Sequence, residues 1–284
     1  QPYKPLFRFK FVSIFDIPKM DMHCHILDPE QFAYSKDAAY HPSGQEIGTA
    51  HYFDQVLSAF NVQHALLVGP NSGYETDNRC MLHAIRSYPN RFKGIAVVRN
   101  DTHQEDLQAL KDQGVIGIAF NASLKGVAYY ENIEPLLSRL SALDMWAQFQ
   151  VEGDQLPNFL PMIERTGVKV LIDHCARPYL DQGFEAAGIL ALKSLAQSGQ
   201  TVVKISGFSK FSKMPFPFAD TQAHVDFLVH TFGLDHCIWA SDWPYLKATA
   251  RLDYGVLLKL EEGRFSTQEL HQLMWTTPKR VLGI

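Results

Sequence analysis

With 284 residues, 46% of them hydrophobic and 20% charged, the chain is long and apolar enough to bury a large core. An aromatic content of 12%, with 18 Gly and 15 Pro, excludes a disordered or low-complexity chain. A net charge of −4 argues against nucleic acid as the partner, because phosphate binding needs clustered Lys and Arg. No apolar run approaches the roughly 18 residues of a membrane span.

The opening segment, QPYKPLFRFKFVSIFDIPKM (1–20), is broken by charges and prolines and shows no small-residue cleavage site. It starts on glutamine, a start consistent with trimming. A first strand is predicted over 17–25, IPKMDMHCH, followed by a long connection, 27–50, with no clear period. Short runs rich in β-branched residues then predict strands at 65–70, 94–98 and 115–121. A helical stripe of Ile133, Leu136, Leu137, Leu140 and Leu143 leads to a strand at 145–151. Further strands are predicted at 168–174 and 201–207, a helix with Val225, Leu228, Val229 and Phe232 inward, and an eighth strand at 237–242. The last helix opens on a capping box, Ser266 to Glu269, ahead of Leu270, Leu273 and Met274. Eight strands in alternation with helices predict an α/β chain that forms a single domain over 1–284, a (β/α)₈ barrel of TIM type with a long loop after strand 1. The competing open, doubly wound sheet lacks its Gly-rich phosphate loop after an early strand. Four dispersed cysteines (Cys24, Cys80, Cys175, Cys237), mostly with apolar neighbours, suggest reduced thiols and a cytoplasmic location.

Polar residues collect at the predicted C-terminal ends of strands, where barrel enzymes build their sites. In Asp21-Met-His23-Cys-His25, strand alternation turns His23 and His25 to one side, about 7 Å apart along the strand. Two such imidazoles can share a metal or polarise one carbonyl; two unrelated histidines are the plain alternative. Strand six ends Asp173-His174-Cys-Ala-Arg177-Pro178. Arg177 is a planar donor suited to a carboxylate or lactone oxygen, or else a scaffold partner of Asp173 or Asp181. Strand eight ends Ser241-Asp242-Trp243-Pro244. Its carboxylate can be a metal ligand, a base for water, or a turn cap. In a closed barrel strands one and eight are neighbours, so Asp242 is expected to face His23 and His25 across one inter-strand spacing.

These three strand-end motifs resemble the amidohydrolase superfamily, and more narrowly the amidohydrolase 2 family with its lactonase branch. The resemblance extends through Asp28-Pro29, Tyr40-x-Pro42, Val68-x-Pro70, Asp77-Asn78, Arg91-x-x-Gly94, Lys204-x-Ser206-Gly207 and Thr277-Pro-x-Arg280. It implies a (β/α)₈ barrel enzyme that opens a carboxylated or sugar-acid lactone, a small-molecule partner, with no nucleic acid or membrane involved. Asp242 would activate water, His23, His25 and His174 would polarise the carbonyl, and Arg177, Tyr40 and Lys210 would contact substrate. Dicarboxylate lactonases of that branch carry an arginine in a Gly-x-Arg-x-Asn context. Here the stretch reads Gly117-Ile-Ala119-Phe-Asn121, and Lys210 stands where they have a second arginine, so a lactone with fewer carboxylates, or a sugar lactone, fits better.

The usual strand-five histidine and strand-four acidic or modified lysine ligand of zinc relatives are missing, although Glu152 is within reach of the site. The resemblance therefore implies either no required cofactor or one divalent metal, zinc or manganese, on His23, His25, His174 and Asp242. A metal-dependent decarboxylase of the same broad family is the alternative reaction. A metal-dependent nuclease and a non-catalytic barrel are the more distant ones. The sequence sets no oligomeric state.

Overall fold

The computed structural model describes residues 12–284, so the opening segment read from sequence lies largely outside the described residues. Eight parallel strands follow one another in sheet order: β1 (Lys19–Cys24), β2 (Val62–Val68), β3 (Phe92–Ala96), β4 (Val115–Asn121), β5 (Trp146–Gln150), β6 (Val170–Ile172), β7 (Thr201–Ile205) and β8 (Cys237–Trp239). A helix of seven to eleven residues follows each strand, from Ala50–Ala59 after β1 to Tyr254–Arg264 after β8. This is the expected (β/α)₈ barrel.

The seam between β8 and β1 closes only at its C-terminal end. There Asp242 N donates to His23 O (2.9 Å) and His25 N to Trp243 O (2.8 Å). Asp21, which heads the first motif, fastens this seam from outside the cavity. Its carboxylate accepts from Ser241 N (2.9 Å), Ser241 Oγ (2.6 Å) and Tyr254 Oη (2.8 Å). Strict alternation would have put Asp21 on the face of His23, but the β1–β2 register shifts between Asp21 and Cys24. That irregularity lets Met20 and Met22 face the barrel interior while His23 and His25 do so as well.

The interior floor is apolar. Met20, Met22, Leu66, Ile95, Trp146, Leu171, Val202 and Ile238 form one cluster, and Val281 and Leu282 of the C-terminal helix plug it from below. A larger cluster fills the layer between sheet and helices. The terminal helices begin on the expected capping box, with Ser266 Oγ accepting from Glu269 N and the Glu269 carboxylate from Ser266 N. The long connection after β1 carries one helical turn, Gly44–Glu46, and is tied down by a Leu27–Gly48 bridge. All four cysteines are buried thiols. No helix among the described residues is long and apolar enough to cross a membrane.

Candidate active site

At the C-terminal end of the barrel lies a cavity of about 370 Å³, into which strands one, six, seven and eight deliver their terminal polar residues. Asp242 Oδ1 is the hub. It stands 3.7 Å from His23 Nε2, 3.6 Å from His25 Nε2 and 3.6 Å from His174 Nε2. Its other oxygen, Oδ2, takes the Lys210 ammonium at 2.9 Å. The structure thus brings together His23, His25, His174, Asp242 and Lys210, and Arg177 also lines the cavity. Asp242 does not cap its turn: that role falls to Ser241, whose Oγ accepts from Trp243 N (3.0 Å).

The local backbone is strained where it aims these groups. His174, Cys175, Ala176 and Arg177 all have positive φ, between 45° and 61°. For residues bearing a Cβ this region costs roughly 1–2 kcal/mol each, so the neighbours must hold the turn. They do: buried His224 donates from Nε2 to Cys175 O (2.8 Å), Arg177 N donates to His174 O (2.9 Å), and Gly153 N to Arg177 O (3.0 Å). Strand six consequently ends two residues earlier than the sequence predicts, and His174 sits on the turn rather than on the strand. Gly207 leaves room for it, because a Cβ there would meet the His174 ring at 2.7 Å. Asp242, too, has positive φ, 62°.

Each imidazole is held through its Nδ1. His25 Nδ1 lies 2.8 Å from the Val68 carbonyl, an acceptor only, so this nitrogen carries the proton and Nε2 presents a lone pair to the cavity. His174 Nδ1 pairs with Ser206 Oγ at 3.0 Å. His23 Nδ1 sits between Asp173 Oδ1 (3.2 Å) and Lys204 Nζ (3.1 Å). Burial lowers the His23 pKa to about 4, with Lys204 adding to the effect and Asp173 opposing it. Burial likewise drives His174 well below the ordinary imidazole value. Burial alone would push the Asp242 carboxyl up, but the Lys210 ammonium beside it holds the group well below 3.8. The resting site is therefore an ionised carboxylate against neutral His23 and His174.

Under these residues lies a buried tier that the sequence reading missed. Lys204 Nζ donates to Gln148 Oε1 (2.6 Å) and pairs with Asp173 Oδ1 (3.0 Å), while Gln148 Nε2 donates to Asp173 Oδ2 (2.9 Å). All three are sealed from solvent. The signal was present: a lysine in the middle of TVVKISG and a glutamine inside MWAQFQV interrupt runs that otherwise read as continuous apolar strands. Tyr245 is a second omission. The residue lines the cavity, its hydroxyl is buried without a hydrogen-bond partner among the described residues, and burial next to Asp21 and Asp242 keeps it protonated.

Two sequence expectations are placed differently. Arg177 pairs with neither Asp173 nor Asp181. Its Nη2 meets Glu152 Oε2 at 3.0 Å and its Nη1 donates to Ser123 Oγ at 3.0 Å. Glu152 is thus engaged with Arg177 rather than reaching toward the histidines. Tyr40 is not among the residues lining the cavity. Its hydroxyl donates to Glu46, and its ring lies under Lys247 Nζ, 4.6 Å from the centroid, at the cavity rim.

The donor set suits a divalent metal. One ligand atom each from His23, His174 and Asp242 falls within 4.8 Å of the others, and His25 adds an outward lone pair fixed by a backbone carbonyl, as metal-binding imidazoles require.

Residues 20–284 match the family model described as Amidohydrolase. A 2-pyrone-4,6-dicarboxylate hydrolase from Comamonas testosteroni is 23% identical over 295 residues, covering 99% of this chain and 93% of that protein. A 4-sulfomuconolactone hydrolase from Hydrogenophaga intermedia is 22% identical over 229 residues, 79% of this chain and 74% of that protein. Among solved structures, the "probable 2-pyrone-4,6-dicarboxylic acid hydrolase" of Acinetobacter baumannii, with citric acid bound, superposes with a TM-score of 0.82 at 26% identity, over 94% of this chain and 100% of that one.

Proposed function

This chain belongs to the amidohydrolase family, and on that premise we propose that it is a hydrolase that opens a lactone, the cyclic ester of a carboxylated or sugar acid, by attack of water. The observation that carries the reading is the convergence of three imidazole Nε2 atoms, each 3.6–3.7 Å away, on one oxygen of an ionised carboxylate. Relatives named as hydrolases of cyclic esters support the reaction class.

Asp242 accepts a proton from the attacking water as its oxygen bonds to the lactone carbonyl carbon. Lys210 keeps the carboxylate ionised and fixes which oxygen faces the substrate. Charge developing on the carbonyl oxygen is met by N–H donors from His23 and His174. Collapse breaks the ring C–O bond, the departing ring oxygen takes the proton held by Asp242, and a hydroxy acid leaves. A zinc or manganese ion, when bound, would be held by His23, His174 and Asp242, with His25 as a further donor, and would supply Lewis acidity to the same carbonyl. Arg177 lines the substrate side of the cavity, and Tyr40 seats Lys247 at its rim.

The test is acid release, followed by pH-stat, over a panel of carboxylated lactones and aldonolactones, with metal analysis of the same sample. Ring opening of at least one class is expected. Decarboxylation of an aromatic acid with every lactone left intact would overturn the reading in favour of the decarboxylase alternative.

A further inference from the structure

We propose that Glu152 is a specificity-determining residue: by holding Arg177 in an ion pair it offsets the guanidinium charge at the cavity wall, so the preferred lactone carries hydroxyl groups there rather than a carboxylate. The inference rests on the lactone reading and narrows it.

The charge inventory of the cavity carries the argument. Lys210 is matched by Asp242 at 2.9 Å, Lys204 beneath the floor by Asp173 at 3.0 Å, and Arg177 by Glu152 at 3.0 Å. Lys247 is exposed at the rim, where water and salt screen it. Glu152 does not line the cavity itself. It stands behind Arg177 in an adjoining outer groove, with Tyr179 and Asp181, so a ligand in the cavity meets a guanidinium that is already neutralised from its far side. The remaining Arg177 contact, Nη1 to Ser123 Oγ, continues into a neutral chain, since Ser123 bonds Asn121 Oδ1 (2.9 Å) and Gln150 Nε2 (3.1 Å).

Three residues that line the cavity keep a buried side-chain atom with no hydrogen-bond partner among the described residues: Asn71, Tyr245 and, at Nε, Arg177. Two of these atoms, Asn71 Oδ1 and the Tyr245 hydroxyl, are uncharged. An uncharged acceptor and an uncharged donor suit hydroxyl groups, which both give and accept hydrogen bonds, better than a carboxylate, which only accepts. A substrate carboxylate could use the Arg177 fork only by displacing Glu152 or by lying close to it as a like charge.

The test compares D-glucono-1,4-lactone with D-glucaro-1,4-lactone, which differ at C6 by a hydroxymethyl group against a carboxylate. The wild type is expected to show the higher kcat/KM on the neutral lactone. Glu152→Gln removes the counter-charge and keeps the shape, and should move the ratio toward the charged lactone by roughly ten- to a hundredfold, the range for a freed charge-assisted contact. Activity on the neutral lactone should hold within about threefold. Arg177→Gln in the Glu152→Gln background should cancel the shift, which a purely structural role for Glu152 would not produce. Glu152→Ala repeats the measurement without the amide. A ratio unmoved in both Glu152 variants, or a wild type that prefers the charged lactone, would overturn the proposal. Failure of both lactones to react in every variant counts against the lactone reading alone. Calorimetric binding of D-glucarate then decides the inference: tighter binding to Glu152→Gln than to wild type sustains it, and equal binding overturns it.

Discussion

The mouth of the barrel and the tier just beneath it are built from the same strands, yet they satisfy their polar groups in opposite ways. In the tier, Gln148, Asp173 and Lys204 close on one another at 2.6–3.0 Å, and Asp173 and Lys204 also hold His23 Nδ1. In the mouth, the Asp242 and histidine atoms that matter stand 3.6–3.7 Å apart, too far for hydrogen bonds, and Tyr245, whose buried hydroxyl has no partner among the described residues, lines the same cavity. The tier is a saturated network whose work is to orient. The mouth is held open by neighbours and by strained backbone, so that a reacting molecule can complete it.

The largest effect that tests this contrast is on turnover. Asp242→Asn keeps the shape of the hub but cannot accept a proton, so kcat should fall about 10²–10⁴-fold while the folded state is little changed. Bound metal measured on the same sample separates the roles. A variant that loses metal and regains rate with added zinc or manganese assigns Asp242 to ligation, and near wild-type turnover would remove it from the chemistry. Next in size is stability. Lys204→Met leaves Asp173 buried with one acceptor short of a charge partner, and breaking such a pair costs roughly 3–5 kcal/mol. Adding Asp173→Asn should recover part of that loss, because no unpaired charge then remains. Urea midpoints for the two variants check both statements, and a Lys204→Met protein as stable as wild type would show that the tier is not the saturated network described.

Much of this was legible in the sequence, and the failures are instructive. Eight strand runs and their alternation with helices gave the barrel, and polar residues at three strand ends gave the hub. His23, His25, His174 and Asp242 share one cavity because strand order in a barrel is sequence order, which makes strands one and eight neighbours. Side-chain pairing across the fold was not legible. Arg177 found Glu152, a residue 25 positions away at the end of a different strand, and no local pattern distinguishes that partner from Asp173 or Asp181. The turn that carries His174 was hidden as well, since Cys175 and Ala176 show none of the Gly or Asn that normally mark a left-handed backbone. The place of Asp21 at the seam was not legible either, because the register shift between Asp21 and Cys24 leaves no mark in the sequence.

The last prediction concerns a buried charge that belongs to neither region, and it sharpens the comparison by its sign. Glu261 lies in the wall behind Asp242, 1% exposed, with Oε2 unpartnered among the described residues and Arg264 Nη1 no closer than 3.9 Å. Burial pushes its carboxyl up to about 8, and Arg264 only partly opposes this. The folded protein therefore keeps a proton that the unfolded chain releases near the ordinary carboxyl value of 4.5. Between these two values the native state binds more protons than the unfolded one, so this group makes stability fall as pH rises through about 4.5 to 8. Glu261→Gln removes that slope. Arg264 keeps its bond to Thr221 Oγ1 (3.0 Å) and its place over the Phe208 ring (4.2 Å), so it is not left bare. At pH 5 the variant should match wild type, and at pH 8.5 it should be more stable by a few kcal/mol, at about 1.4 kcal/mol per pH unit of the window. Removing the charge of Lys204 thus destabilises the protein where removing that of Glu261 stabilises it, because one charge has its partners and the other does not. Urea unfolding at pH 5, 7 and 8.5 reads the difference, and parallel profiles for wild type and Glu261→Gln would show that this carboxyl does not hold its proton in the folded state.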